Sequence, residues 1–276
     1  MPKIQVGDVN LNYDVAGKGE PLLLIMGLGA SSAVWDPELI TDLARSFRVI
    51  TFDNRGTGQS DKPNAPYSIE MFADDAAGVL DKLDVPPAHI FGVSMGGMIA
   101  QEFALRHPKR TATLTLGCTT AGGKHSVAPP AESLKILTAP REGVSEEDVI
   151  RRGWPLGHTP KYIAENRAVL EATIPRLLKY PTPPFAFQRQ LEATYGLKTF
   201  DRLGQIKAPT LVVTGAEDVL IPAKNSEILA EHIPGAKLHI IPGVGHAFMS
   251  DARGEFLKVF LSFAKAHPIE IGRAHV

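Results

Sequence analysis

The sequence of 276 residues predicts an α/β protein with a mostly parallel central sheet of about eight strands. Short apolar runs, typical of buried strands, alternate with longer segments of helical periodicity. This alternation is interrupted once, between Ala121 and Phe200, where only helical patterns occur. We therefore expect flanking helices on both faces of one sheet and an all-helical cap inserted after the sixth strand.

The chain starts with a predicted hairpin. Residues 3–6 and 9–15 are joined by Gly7-Asp8, and the second run alternates apolar and polar residues, as half-buried strands do. Six largely apolar runs follow, which indicates parallel strands covered on both faces. These runs are 22–25, 49–52, 89–91, 113–116, 211–213 and 238–241. The clearest helix between them presents one apolar face from Ile69 to Leu83 and has Ser68 as its N-cap.

The helical insertion separates two parts of one α/β unit. We predict four helices in it, at residues 132–137, 146–153, 161–178 and 185–196. It follows the carboxyl end of a strand, where ligands bind in open α/β sheets. We expect a core domain formed by residues 1–120 and 200–268 and a helical cap or lid, 121–199. Residues 269–276 are expected to be a non-native or disordered tail, because one back-translation of 270–276 reads as a common sequencing-adapter sequence.

The composition argues against several classes of partner. The net charge is −1 and no long run of one sign occurs, which argues against a nucleic-acid-binding face. The N-terminus lacks the apolar core of a signal peptide, and the longest apolar run, 22–28, is too short to cross a bilayer. The single cysteine, Cys118, is expected in the core and fits a cytoplasmic protein without disulfides. We expect a monomer or homodimer that acts on a small molecule without a metal or other cofactor.

A Gly-x-Ser-x-Gly pattern is the strongest functional signal. Ser94 lies between Gly92 and Gly96, after an apolar strand-like run and before a helix-like one. A serine in a sharp strand-to-helix turn has strained backbone angles, and its neighbours two residues away must be very small. Such a turn exposes the hydroxyl at the top of the sheet. Ser94 is therefore the candidate nucleophile.

A serine nucleophile needs a base and an acid that orients this base. Of the nine histidines, His246 alone lies in a glycine-rich loop directly after a strand, so it is the candidate base. Asp218 follows the strand 211–213 and is the candidate acid, preferred over Glu217. Asp251 is interpreted as a cap of the last helix, and Asp53 as part of a tight structural loop.

The tetrahedral intermediate of acyl transfer needs two amide donors. The N–H of Met95, next to the nucleophile, is one, and the N–H of Leu28, in the loop 26–30 between two glycines, is the other. A dinucleotide or phosphate loop is a weak alternative for 26–30, because the third glycine and the Gly-Lys-Ser/Thr ending are missing. The predicted substrate-binding residues are Gly27, Gly29, Trp154, Val219 and Ala247.

These motifs resemble the α/β-hydrolase-fold superfamily, in particular its serine esterase-like members with a helical cap. The chain order Ser94, Asp218, His246 matches that family's order of nucleophile, acid and base. Further matching motifs are the loop 53–60, with Arg55 and two glycines, and the strand 209–215. One departure concerns Met26-Gly27, where many relatives have His-Gly, so that a polar group beside the acyl site is lost.

The resemblance implies a carboxylesterase that forms an acyl-enzyme on small, mostly apolar esters. The same three side chains in similar folds also support hydrolysis of lactones or enol-lactones, carbon–carbon bond hydrolysis and perhydrolysis. A non-catalytic binder of small ligands is a further alternative, which a complete set of nucleophile, base and acid disfavours.

Overall fold

The computed structural model describes residues 2–269. Eight strands occur, and they are β1 (Lys3–Val6), β2 (Val9–Ala16), β3 (Glu20–Ile25), β4 (Phe47–Phe52), β5 (Ala88–Val93), β6 (Thr111–Gly117), β7 (Thr210–Gly215) and β8 (Lys237–Ile241). They form one sheet in the order β1-β2-β4-β3-β5-β6-β7-β8. The pairs β1–β2 and β2–β4 are antiparallel, and every other pair is parallel. The predicted hairpin and parallel sheet are confirmed.

Helices cover both faces of this sheet. In chain order they are α1 (Pro37–Ala44), α2 (Ile69–Lys82), α3 (Met95–Arg106), α4 (Ala131–Leu137), α5 (Glu146–Gly157), α6 (Pro160–Leu177), α7 (Pro184–Tyr195), α8 (Lys224–His232), α9 (Phe248–Asp251) and α10 (Arg253–Lys265). Helices α2, α3 and α8 contribute to the core on one face, and α1, α9 and α10 to the core on the other. Within β3, Leu23 and Leu24 belong to opposite cores, because successive side chains of a strand alternate between faces.

The segment between β6 and β7 contains the four predicted helices, α4 to α7. Helix α5 continues past the predicted end at residue 153, through Pro155 to Gly157. Its last turn is closed by a hydrogen bond of 2.8 Å from the His158 N–H to the Trp154 carbonyl, so the proline does not end the helix. Trp154, Leu170 and Ile174 form a small apolar cluster inside the segment. Among residues 2–269, no helix combines the length and hydrophobicity that crossing a bilayer requires.

The predicted alternation of β2 fails at two positions. Asn12 is only 1% exposed although the pattern places it on the solvent side, and Val15 is 36% exposed. The Asn12 amide donates to Asp53 Oδ2 at 2.9 Å, and the carboxylate of Asp53 also accepts the N–H groups of Ser32 and Gln59 at 2.7 and 2.8 Å. The interpretation of Asp53 as part of a tight structural loop is confirmed.

The predicted tail begins at residue 269, and its residues 270–276 lie outside the described part of the chain. Ile269 itself donates its N–H to Glu20 Oε1 at 2.7 Å, so this residue contacts β3 of the core.

A buried ion pair fixes the loop after β4 to α2. Arg55 donates to both carboxylate oxygens of Asp75, at 2.6 and 2.8 Å, and both side chains are 5% exposed. The neighbouring residue Asp74 makes the corresponding bidentate pair with Arg106 at the surface, where the side chains are 47% and 40% exposed. Because burial makes an unpaired charge costly, only the first pair should be critical to the fold.

We expect Arg55→Met to lower the free energy of unfolding by about 3–5 kcal/mol, because it leaves Asp75 charged and buried. The matched surface variant Arg106→Met should cost less than about 1 kcal/mol. Urea denaturation of the two variants and the wild type measures both values. Equal losses in the two variants would show that burial of the Arg55–Asp75 pair does not set its importance.

Candidate active site

Ser94 lies in the turn that joins β5 to α3. Its backbone angles are φ 58° and ψ −125°, a strained conformation for a residue with a side chain. A Cβ atom added at Gly92 would collide with the Gly96 carbonyl, and one added at Gly96 would collide with the Ile25 carbonyl. The strained serine turn and its requirement for two glycines, as predicted from the sequence, are therefore present in the structure.

The loops after β7 and β8 bring Asp218 and His246 together. The Nδ1 atom of His246 lies 2.7 Å from Asp218 Oδ2, and the Asp218 side chain is fully buried. The other oxygen, Oδ1, accepts the backbone N–H groups of Leu220 and Ile221 at 2.9 and 2.8 Å. Because an ionised carboxylate only accepts hydrogen bonds, Nδ1 of the imidazole carries the proton of this pair and Nε2 is the atom left to act as a base.

The surroundings of His246 favour its protonated form. Burial lowers the pKa of the imidazole, but the negative charge of the Asp218 carboxylate and its hydrogen bond oppose this effect, and the net pKa lies well above the ordinary value. The Cys118 Sγ atom, a carboxylate oxygen of Asp218 and a ring nitrogen of His246 lie within 4.8 Å of one another. Cys118 is buried as expected. It also lies in the wall of a cavity that Ser94 and His246 line, which was not predicted.

Ser94 and His246 line the same cavity, which has a volume of about 700 Å³. Most of its wall is apolar, and the apolar residues include Met26, Leu28, Val34, Val93, Met95, Met98, Val127, Leu134, Leu137, Leu191, Leu220, Ile221 and Met249. Three polar residues of the wall bond to one another, because Thr120 Oγ1 lies 2.6 Å from Ser126 Oγ and 3.1 Å from Asn225 Oδ1. The cavity therefore suits an apolar ligand whose polar atoms lie near Ser94.

The two residues predicted as amide donors line the same cavity as Ser94. Met95 is the first residue of α3, and Leu28 lies in the loop after β3. The residue before Leu28, Gly27, approaches the nucleophile so closely that an added Cβ would lie 3.0 Å from Ser94 Cβ. Among residues 2–269, the hydrogen bond of the His246 ring is made by Nδ1 to Asp218, and none joins the ring to the Ser94 hydroxyl.

The five predicted substrate-binding residues divide into two groups. Gly27 and Ala247 line the cavity, whereas Gly29, Trp154 and Val219 are not among the described residues of its wall. The Gly29 N–H is bonded to Gln190 and a Cβ on Gly29 would lie 2.6 Å from the Phe187 ring. Trp154 packs inside the helical segment, in the cluster described above. Val219 is 40% exposed, and the next two residues, 220 and 221, occupy the wall instead.

Gln190 on α7 is a residue that the sequence analysis missed. It is fully buried, accepts the Gly29 N–H at 2.8 Å and donates to the Arg55 carbonyl at 2.9 Å. It therefore fixes the loop that carries Leu28. A single glutamine in an amphipathic helix gives no signal of such a role, because its partners are 135 and 161 residues away.

The interpretation of Asp251 as a helix cap is wrong. The N-cap position of α10 is Ala252, without a side-chain hydrogen bond. The carboxylate of Asp251 instead contacts His158, at 2.9 Å from Nδ1 to each oxygen. The alternative in which Asp251 or Asp53 orients His246 does not fit these contacts, because Asp218 is the carboxylate bonded to the imidazole.

Comparison with known proteins agrees with this architecture. The family model described as "alpha/beta hydrolase fold" matches residues 20–164. A protein of Azorhizobium caulinodans named "Putative carbamate hydrolase RutD" is 34% identical over 265 residues, which are 95% of this chain and 98% of that protein. A poly(3-hydroxyalkanoate) depolymerase of Ectopseudomonas oleovorans is 34% identical over 83% of this chain and 78% of its own. The crystal structure of the enol-lactonase of Burkholderia xenovorans LB400 superposes with a TM-score of 0.81 at 26% identity, covering 95% and 99% of the two chains.

We expect Gly96→Ala to destabilise the protein by about 1–3 kcal/mol, because the added methyl group meets the backbone of β3. The control is Gly153→Ala in α5, where nothing lies within 4 Å of the added atom and the change should stabilise by up to about 1 kcal/mol. Thermal unfolding of both variants tests the expectation. A Gly96→Ala variant as stable as the wild type would mean that the turn does not need glycine there.

Proposed function

We propose that this chain, which belongs to the α/β-hydrolase family and is a hydrolase, cleaves carboxylic esters of small, mostly apolar substrates. The observation that carries the proposal is the His246–Asp218 hydrogen bond of 2.7 Å, which lies in one cavity with the strained Ser94. The proposal includes a core of residues 1–120 and 200–268, a cap of residues 121–199 that covers the site, and a cytoplasmic monomer or homodimer.

In the proposed mechanism, the Ser94 oxygen attacks the acyl carbon while His246 Nε2 takes the hydroxyl proton. Asp218 holds the imidazole in the tautomer with hydrogen on Nδ1 and stabilises the imidazolium that forms. The N–H groups of Leu28 and Met95 stabilise the oxyanion. His246 then gives the proton to the leaving alcohol. Water, activated by the same imidazole, attacks the acyl-enzyme, and its proton passes through Nε2 to Ser94 as the acid leaves.

The chemistry of the cavity favours esters over carbamates. A carbamate nitrogen has N–H donors that need acceptors when they are buried. Of the other polar side chains in the wall, those at 120, 126 and 225 are bonded to one another, Thr194 is bonded to the Leu191 carbonyl, and Tyr195 is 71% exposed. An ester places its two oxygens at the reacting centre and presents hydrocarbon elsewhere. Two of the proteins compared above are named for substrates with ester bonds, a polyester and an enol-lactone, whereas the third is named for a carbamate.

Lactones are the second candidate substrates, because the enol-lactonase superposes over nearly the whole chain. A lactone is an ester whose alcohol stays attached to the acyl group, so the same steps open the ring. Carbon–carbon bond hydrolysis and perhydrolysis use the same nucleophile and base, and the substrate panel described below separates them.

We expect the protein to hydrolyse p-nitrophenyl esters. The value of kcat/KM should rise about fourfold for each added methylene while the acyl chain fits the apolar cavity, and long-chain triglycerides should be hydrolysed very slowly. A fluorophosphonate should label the wild type once, at Ser94. The panel adds a lactone, a vinylogous diketone, a carbamate and hydrogen peroxide as co-substrate.

Ser94→Ala is the control, since it removes one oxygen atom and should abolish both labelling and turnover. Ser262→Ala, which also removes one hydroxyl but lies in α10 and is not among the described residues of the cavity wall, should still be labelled. Labelling at another residue would overturn the choice of nucleophile, and faster turnover of the carbamate than of any ester would overturn the proposed substrate.

The acid limb of the pH profile should lie above the ordinary histidine value of about 6.5, because the pKa of His246 is raised and only the neutral imidazole accepts a proton. kcat/KM therefore falls as the pH drops through the raised pKa. Asp218→Asn removes the carboxylate that raises this pKa, so the midpoint should move to lower pH while the rate falls on the order of 10⁴-fold. Asp74→Asn is the surface control. An unchanged midpoint in Asp218→Asn would mean that another group sets the acid limb.

A further inference from the structure

A second histidine–aspartate pair joins the cap to the loop that carries His246. His158 follows α5, and its Nδ1 atom lies 2.9 Å from both oxygens of Asp251, the last residue of α9. Asp251 is five residues beyond His246, and its side chain is fully buried, whereas that of His158 is 15% exposed. The pair is separate from the proposed catalytic residues and is not needed for any step of their chemistry.

The backbone of the cap contacts the same loop on both sides of His246. The Ala247 N–H donates to the Gly157 carbonyl at 2.8 Å. On the other side, Gly245 lies so near that an added Cβ would be 2.9 Å from the same carbonyl oxygen. The residues before and after the imidazole therefore both lie against the end of α5, immediately before His158.

Burial of the Asp251 carboxylate makes its hydrogen bond to His158 important. A buried carboxylate is costly unless hydrogen-bond donors and an opposite charge compensate it. His158 Nδ1 is the nearest donor to Asp251, because the single hydrogen of the Ser250 hydroxyl is shared between Asp251 Oδ1 at 3.1 Å and the Ala247 carbonyl at 2.9 Å. The His158 ring is itself held by stacking on Tyr162 of α6, with centroids 5.2 Å apart and an angle of 11° between the planes. Removal of His158 would leave the buried carboxylate without this donor, and the resulting free-energy cost favours a displacement of the loop that ends at Asp251.

We propose that His158 is a positioning residue for His246: through Asp251 it clamps the histidine loop to the cap, so that the cap sets the place of the catalytic base. This inference rests on the proposed role of His246. His158 itself is not among the described residues of the cavity wall, so its effect should be on the chemical step and not on substrate binding.

The experiment compares the full-length wild type with His158→Ala, His158→Asn, Asp251→Asn and the double variant His158→Ala/Asp251→Asn. Asparagine places an amide N–H near the position of Nδ1, so His158→Asn keeps a donor to Asp251. The matched control is His239→Ala, which removes a histidine–carboxylate contact of the same length, 2.9 Å to Glu255, between β8 and α10. Readouts are kcat and KM for a p-nitrophenyl ester, the rate constant of fluorophosphonate labelling and the melting temperature.

We expect His158→Ala to lower kcat and the labelling rate constant in parallel, by about 10–100-fold, because a displacement of about 1 Å at a catalytic group has an effect of this size. KM should change by less than about threefold, since the cavity wall is intact. Asp251→Asn should give a similar loss, the double variant should lose no more than either single variant, and His158→Asn should recover part of kcat. His239→Ala should keep the wild-type kcat.

Wild-type kcat in both His158→Ala and Asp251→Asn would overturn the inference, as would a rise in KM at constant kcat or additive losses in the double variant. A loss of kcat that is explained by unfolding at the assay temperature would also overturn the inference. If His158→Ala does not fold, the isosteric variant Asp251→Asn still tests it. Failure of the proposed function has a different outcome, since the wild type itself would then neither turn over esters nor react with the fluorophosphonate.

Discussion

The strained backbone at Ser94 is the constraint on which the site depends. A side chain with φ 58° and ψ −125° is tolerated only where the surroundings leave the chain no relaxed alternative. Here the carbonyls of Ile25 and Gly96 occupy the space that Cβ atoms at 96 and 92 would need. The packing of α3 on β3 and β5 therefore aims the hydroxyl into the cavity, and every other group of the proposed mechanism has to reach this one point.

Contacts between distant parts of the chain explain what the sequence predicted and what it did not. The sheet, the serine turn and the pairing of His246 with Asp218 were predictable, because each follows from a local pattern or from the rule that parallel strands end at one edge. The role of Asp251 was not, because its partner is 93 residues away in a segment without strands. The role of Gln190 was not predictable for the same reason. Its burial depends on how α7 packs on the loops that contain Gly29 and Arg55, which are distant in sequence.

The same distinction applies to the cavity. The apolar character of the cavity was predictable from the residues near Ser94. Which residues of the helical segment line it was not predictable. Trp154 was expected among the substrate-binding residues, yet it packs with Leu170 and Ile174. A helical segment of this size must bury apolar surface within itself before it can cover anything else, and a large aromatic ring serves that need best. Sequence alone does not separate a ring that stabilises the cap from one that contacts substrate.

The sheet order shows why the contacts of the helical segment between β6 and β7 matter beyond the cavity wall. The loops that carry Leu28 and His246 follow β3 and β8, and three strands, β5, β6 and β7, lie between these two in the sheet. The two loops are therefore joined through the sheet only by four successive strand pairings, and β3 and β8 do not pair directly. The cap, which leaves the sheet after β6 and returns at β7, contacts both: Gln190 bonds to Gly29 on one side, and Gly157 to Ala247 on the other. These contacts supplement the sheet at both loops, so the helical segment bears on the proposed oxyanion donor Leu28 and on the proposed base His246.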